Sequence, residues 1–300
     1  MSAAIHRPLM SEAGLAPTHH VTAVDEFGQN RQVQVAGESP LTLKVDGKEV
    51  VTLMTLGTQP EALALGYLRN QRLVGSIDEI AKIEVQWDLE TVFVTTTHGR
   101  GIIDWENKLA NRTITSGCGQ GTIFSCTIDS IYNTRLAPVK VRQSMLYTLL
   151  SNISQYNQVY RQAGAVHGCA LCHGTEILSF VEDVGRHNAA DAISGQMWLE
   201  GLDGKDKLFY TTGRLTSEMV MKTAQMGIPV LLSRSGVTEM GLELAGIVGM
   251  TMIARAKGRH FLVYNGVQDM VYDAIPTRRA KGGQHPPGQP GAGARSKSTN

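Results

Sequence analysis

The chain has 300 residues, of which 42% are hydrophobic, and a formal net charge of +1. That apolar content suits one large or two modest cores, while the balanced charge supplies neither a basic surplus for nucleic acid nor an acidic block that would solvate a tail. Four cysteines, Cys118, Cys126, Cys169 and Cys172, are too few and too unevenly spaced for a secreted disulfide framework, so a reducing, cytoplasmic setting is expected.

In chain order, residues 1–37 read as a largely flexible arm. They mix Arg7, Glu12 and prolines without an apolar segment, so no signal peptide is read there. Strands over 41–45 and 50–54 flank Asp46-Gly47, a dipeptide that supplies the positive φ values of a tight hairpin turn. Thr58-Gln59-Pro60-Glu61 then has capping-box spacing with proline in the first turn, and predicts a helix whose Ala62, Leu65, Leu68 and Leu73 share a face. Strands near 80–87 and 91–97 complete a small α/β domain over 38–113.

Residues 114–140 read as a linker carrying Thr115-Ser116-Gly117-Cys118-Gly119-Gln120-Gly121. A thiol flanked by glycines can reach a partner's sulfur and swing it elsewhere. The alternative is a surface loop whose cysteine is incidental, and the residues leave both open. Cys126, preceded by Ile123 and Phe124, reads as packing inward.

A second domain is expected over 141–268. Leu146, Leu149, Leu150, Ile153, Tyr156 and Tyr160 recur at helical spacing until Gly164, predicting one long amphipathic helix. Strands 166–172 and 176–181 follow as a hairpin about His173-Gly174. Then come strand 207–211, helix 217–226, strand 228–233, helix 238–248 and strands 250–254 and 261–264. That alternation predicts a parallel sheet covered by helices. Residues 269–300 read as a disordered tail, with five Lys/Arg and no acid from Arg278 onward. Nowhere do ~18 uncharged apolar residues run together, so no membrane span is expected.

Two loops follow successive strands of this second domain: Thr212-Gly213-Arg214-Leu215-Thr216 and Ser233-Arg234-Ser235-Gly236. Each combines an arginine, hydroxyls and a glycine at a strand end, which is phosphate-site chemistry. Arg255-Ala256-Lys257-Gly258-Arg259-His260 is a third basic cluster, either a further phosphate clamp or a solvated hairpin tip. Within Glu182 to Asp191 (EDVGRHNAAD), Asp183 is expected to cap a helix while Arg186, His187 and Asn188 enter a cleft. Cys169 and Cys172, three apart on a strand, face opposite sides ~10 Å apart and read as packing residues. A zinc deaminase would need Glu two residues after His167, where Cys169 stands.

With the strings Thr212 to Lys222 (TGRLTSEMVMK), Gly227 to Ser235 (GIPVLLSRS) and the hairpin-plus-helix start from Leu41 to Leu68, this EDVGRHNAAD run resembles the formate dehydrogenase accessory sulfurtransferase family of FdhD type. The resemblance implies a small N-terminal α/β domain plus a C-terminal three-layer α/β/α domain of cytidine-deaminase-like type without the deaminase zinc. It further implies a cytoplasmic homodimer that takes sulfur from a cysteine desulfurase as a persulfide on Cys118. That sulfur would pass to the bis-molybdopterin guanine dinucleotide form of the molybdenum cofactor, activating formate dehydrogenase. The cofactor's expected site comprises Arg214, Ser233, Arg234, His187 and the stretch Arg255, Ala256, Lys257, Gly258, Arg259 and His260, with no resident metal. The chain departs from the family in two places: Cys118-Gly119-Gln120-Gly121 stands where the pattern is Cys-x-x-Cys, and Ala254-Arg255-Ala256-Lys257 where it is Gly-Phe-x-Arg. One thiolate suffices to hold a sulfane sulfur. A cofactor chaperone that moves no sulfur is the alternative function, and a zinc hydrolase a third.

Overall fold

A computed structural model describes residues 6–105, 112–114, 122–124 and 131–276. β1 (Leu9–Met10) is followed by an antiparallel ribbon of β2 (Thr18–Val24) and β3 (Asn30–Ala36), with Thr18 opposite Ala36 and Val24 opposite Asn30. The segment expected as a flexible arm is therefore built into the fold. Its turn is closed by Asp25, whose carboxylate accepts from the N–H groups of Phe27 and Gln29 and from Arg31 Nε. Thr18, Val21, Thr22 and Val24 on β2 and Val33 and Val35 on β3 supply the β propensity.

β4 (Ser39–Val45) and β5 (Lys48–Thr55) form the expected hairpin, with φ of +44° at Asp46 and +82° at Gly47. α1 (Pro60–Asn70), β6 (Ile80–Gln86) and β7 (Thr91–Thr96) complete a five-stranded sheet of order β1-β6-β7-β4-β5. Pro60 opens α1, but the capping box does not form. Gln59 is the N-cap without a side-chain bond, and the Glu61 carboxylate instead accepts from Ser11 Oγ at 2.7 Å and Ala13 N at 2.8 Å. That buried glutamate ties the N-terminal segment to the helix. β8 (Arg112–Ile114) pairs antiparallel with β9 (Thr122–Phe124), Ile114 opposite Thr122. Cys118 and Cys126, with the rest of 115–121 and 125–130, lie outside the described residues.

In the second half, β10 (Val141–Arg142) leads into α2 (Gln143–Ile153) and α3 (Gln158–Ala163), which ends at Gly164 with φ +75°. The single long helix expected here is two. The chain turns at residues 154–157, and Tyr156 and Tyr160 are exposed rather than on the buried stripe. β11 (His167–His173), β12 (Glu176–Asp183), α4 (Arg186–Glu200), β13 (Leu208–Thr211), α5 (Ser217–Gln225), β14 (Val230–Ser233), α6 (Glu239–Val248), β15 (Thr251–Lys257) and β16 (His260–Asn265) follow. Their sheet has order β12-β11-β13-β14-β15-β16. Only β13, β14 and β15 are parallel, the hairpins at either side making the sheet mixed rather than wholly parallel. β17 (Met270–Val271) pairs with β10, so the start of the expected tail belongs to the fold. In the expected linker, Ile131 is buried in the core and Leu136 N donates to Val248 O.

The six-stranded sheet is the middle of three layers. Leu146, Leu149 and Ile153 of α2 pack on one face against Ala170, Cys172 and Leu232. Residues of α4, α5 and α6, including Ile193, Val220 and Ala245, pack on the other against Cys169, Phe209 and Leu231. This second core continues without a break through α1 into Leu41, Ile83 and Val92 of the five-stranded sheet. α1 and α4 meet backbone to backbone, since a Cβ on Gly66 would stand 1.6 Å from Asp191 O and one on Gly195 1.9 Å from Ala62 O.

Candidate functional site

A cavity of about 510 Å³ opens where β13 and β14 end, lined by Asn157, Tyr160, His167, Thr212, Arg234 and Ser235 among others. Its floor is fixed by hydroxyls near the two strand ends. Thr211 Oγ1 accepts from Gly213 N at 3.0 Å, and Ser233 Oγ donates to Gly213 O at 2.6 Å while accepting from Ser235 N at 2.9 Å. Arg255 N donates to Ser235 O at 2.8 Å, bringing β15 to the same edge. Gly213 is required by packing, because a Cβ there would lie 2.6 Å from Arg186 Cδ.

The far wall comes from α3, and its placement rests on Glu182. That carboxylate accepts from Val159 N and Tyr160 N, each at 2.9 Å, holding the open N-terminal turn of the helix to the end of β12. Sequence reading missed Asn157 and Tyr160 because it ran one helix through them. The signal lay in Glu182, an acid placed at the end of an apolar strand.

The charge around the opening is one-sided. Arg214, Arg234 and Arg255 are exposed, Arg234 lining the cavity and the Arg255 guanidinium lying beside Gly236. Arg255 holds a left-handed φ of +52°. Among the described residues, none that lines the cavity is a carboxylate. Half-buried His167 is pushed below the usual imidazole value, chiefly by burial and then by the charges of Arg186, His187 and Arg214. Guanidinium groups without a carboxylate among the described lining residues make a site for an oxyanion.

The remaining expected contacts divide. Ser233 is fully buried and its hydroxyl serves the loop. Ala256 points its methyl into the core under α2. Lys257, Gly258, Arg259 and His260 lie beyond the end of β14 at the β15–β16 hairpin, where Arg259 stacks on Tyr147 of α2 at 5.7 Å. Arg259 and His260 thus face recesses separate from the cavity, and only Arg255 of that cluster lies by its loops. His187 sits behind the cavity wall, Nε2 3.1 Å from Glu218 Oε2, with burial as the main cause of its lowered pKa.

Within the Glu182 to Asp191 run, Asp183 and Asn188 serve as scaffold, which corrects the expectations that Asp183 caps the helix and that Asn188 enters a cleft. Gly185, not Asp183, is the N-cap of α4. Asp183 accepts from Gly185 N and Asn188 Nδ2, and across the block boundary from Thr55 Oγ1 and Leu56 N. Burial raises its pKa despite those four donors. Asn188 Nδ2 also donates to Met54 O at 2.7 Å. These side chains join the two halves instead of entering the cleft.

Cys169 and Cys172 are both fully buried, on opposite faces of β11 as expected, and burial pushes each thiol up to about 12. They stay protonated at neutral pH. Among the described residues no group of three His, Cys, Asp or Glu side chains is placed to hold a metal, and no helix is long and apolar enough to cross a membrane.

A three-layer α/β/α body with an arginine-rimmed cavity at its strand ends, fused through a glycine helix pair to a second sheet, defines the kind of molecule. The chain belongs to the FdhD/NarQ family, whose pattern it matches over residues 36–271. It is 30% identical over 248 residues to a sulfur carrier protein FdhD of Listeria monocytogenes serotype 4b, covering 80% of this chain and 92% of that one. It is 29% identical over 252 residues to the sulfur carrier protein FdhD of Bacillus subtilis, covering 81% and 95%. A crystal structure from Desulfotalea psychrophila, assigned as a formate dehydrogenase accessory protein, superposes with a TM-score of 0.67 at 25% identity, over 85% of this chain and 98% of that one.

Proposed function

We propose that the protein is a sulfur carrier required for formate dehydrogenase activity, working in the cytoplasm with a cysteine desulfurase as donor. Its acceptor is the bis-molybdopterin guanine dinucleotide cofactor, and homodimerisation is part of the same reading. The observation that carries it is the burial of Cys169 and Cys172, whose thiols at about 12 cannot serve as thiolates. That leaves Cys118 and Cys126, and of the two Cys118 is the one flanked by glycines, in the stretch between paired Ile114 and Thr122. The names of the relatives, sulfur carrier proteins, point the same way.

In the carrying step, Cys118 thiolate attacks the terminal sulfur of the donor persulfide. The donor S–S bond breaks, the donor leaves as thiolate, and Cys118 keeps the sulfane sulfur. The cavity's donor set suits the phosphates of the acceptor: Arg234 in the wall, and Arg214 and Arg255 at the loops beside it. At about 510 Å³ it accommodates part of a dinucleotide cofactor. Gly121 stands where a second cysteine would assist release, so release draws on Cys126 or an external thiol.

That same glycine favours a second reading, a chaperone that binds the cofactor without moving sulfur. Incubation with a cysteine desulfurase and labelled cysteine separates them. The carrier takes up one label that Cys118→Ala abolishes, and that variant fails to restore formate dehydrogenase activity in cells lacking the native protein. An unlabelled wild-type chain, or full restoration by Cys118→Ala, would hand the function to the chaperone.

A further inference from the structure

A second concave site lies at the other end of α4, roughly 18 Å along the helix from Arg186 by its rise per residue. It is a recess of about 410 Å³ lined by Arg69, Arg72, Val74, Gly75, Trp198 and Gln225. Neither arginine has a carboxylate within ion-pair distance among the described residues. Arg69 donates through Nη1 to Ser194 O at 2.9 Å and lies over the Trp198 ring at 5.4 Å, and Arg72 Nε donates to Gln225 Oε1 at 2.8 Å. At the Gly75 edge of the recess, Glu79 turns Oε1 to Gly75 N and Ser76 N.

Helix-end chemistry explains Arg69 in part, since a cation is favoured near carbonyl ends. It does not explain Arg72. That residue closes α1 in a left-handed conformation, φ +53°, with Leu73 N donating to Leu68 O. Glycine is the residue this turn favours, and a side chain there is held at a conformational cost. What the side chain gains in return is a guanidinium aimed at a neutral amide. Gln225, by accepting through Oε1, keeps its Nε2 as a further donor. Burial alone lowers Arg69 to about 10, so it stays charged at neutral pH without a counter-ion. Two partly buried guanidinium groups, an amide donor and an indole around one recess form a donor set that suits an anion.

We propose that this recess binds the carboxylate or phosphate headgroup of a small ligand, clamped between Arg69 and Arg72 with Trp198 beside it. The site is separate from the strand-end cavity and does not depend on the sulfur-carrier reading.

Inorganic phosphate and acetate are the probes, titrated by calorimetry and by tryptophan fluorescence in an Arg234→Gln background that disables the other arginine-lined cavity. Saturable binding with a fluorescence change that Trp198→Phe removes is expected. A preference for phosphate assigns a phosphorylated ligand, and a preference for acetate a carboxylate. Arg72→Gly is expected to weaken binding about tenfold or more, with a melting temperature equal to or above that of its parent, because glycine relieves the left-handed turn. Arg72→Lys retains the charge but not the planar fork, and about a tenfold loss is expected there too. Binding unchanged in both Arg72 variants, or no saturable binding of either anion, overturns the proposal.

Discussion

Single side chains decide where charge can exist in this molecule. Lys222 reaches both oxygens of Asp191 at 2.5 and 2.6 Å, with both residues nearly inaccessible, and Asn70 Nδ2 donates to the same carboxylate. Lys222→Met leaves a buried carboxylate with one neutral donor, so a loss of about 3–5 kcal/mol in chemical denaturation is expected. The histidines give a pH signature. His167 and His187 both titrate below the ordinary value of 6.5 in the folded chain. The unfolded chain therefore binds their protons first. Their contribution to stability is full above 6.5, falls as pH drops through that value and levels off below the folded pKa values. Denaturation midpoints measured across this window for wild type and for His167→Gln check it, the variant showing the shallower slope.

Among the elements, the α1–α4 contact has the least room to adjust. A Cβ at Gly195 would meet Ala62 O at 1.9 Å and Ala62 C at 2.8 Å, backbone atoms that no rotamer change can move. Gly195→Ala is expected to cost about 3 kcal/mol or more, read as a lower denaturation midpoint. A substitution at Gly246 of α6, whose Cβ would meet nothing within 4 Å and whose backbone is helical, leaves the fold in place. The same logic governs α3, which is only six residues long and whose end is held by Glu182. Glu182→Gln is expected to loosen the Tyr160 wall of the cavity, seen as faster amide exchange at Val159 and Tyr160 without loss of the global fold.

The two halves behave as one body because their apolar core is continuous and their polar networks cross the boundary at Asp183–Thr55 and Asn70–Asp191. A single calorimetric transition is expected for the whole chain. A fragment of residues 141–276 would expose the α4 face that α1 covers, and is expected to lack a cooperative transition of its own. Two resolved transitions in the full chain would contradict the shared core.

The strands and helices of the second half could be read from the sequence because their patterns are local: period-two runs, glycine stops and helix starts lie within a few residues of one another. So could the Asp46-Gly47 hairpin and the position of the Arg214 and Arg234 loops at the ends of β13 and β14, which neighbours in the chain specify. What the tertiary structure decided was where side chains point. It turned Asp183 from an expected helix cap and Asn188 from an expected ligand cleft to the block boundary, enclosed Ala256, separated Arg259 from Arg255, and broke a helix that periodicity alone would have continued. Those outcomes depend on contacts such as Asn188 with Met54, 134 residues apart, and burial and pairing at that range leave no local trace in composition or spacing.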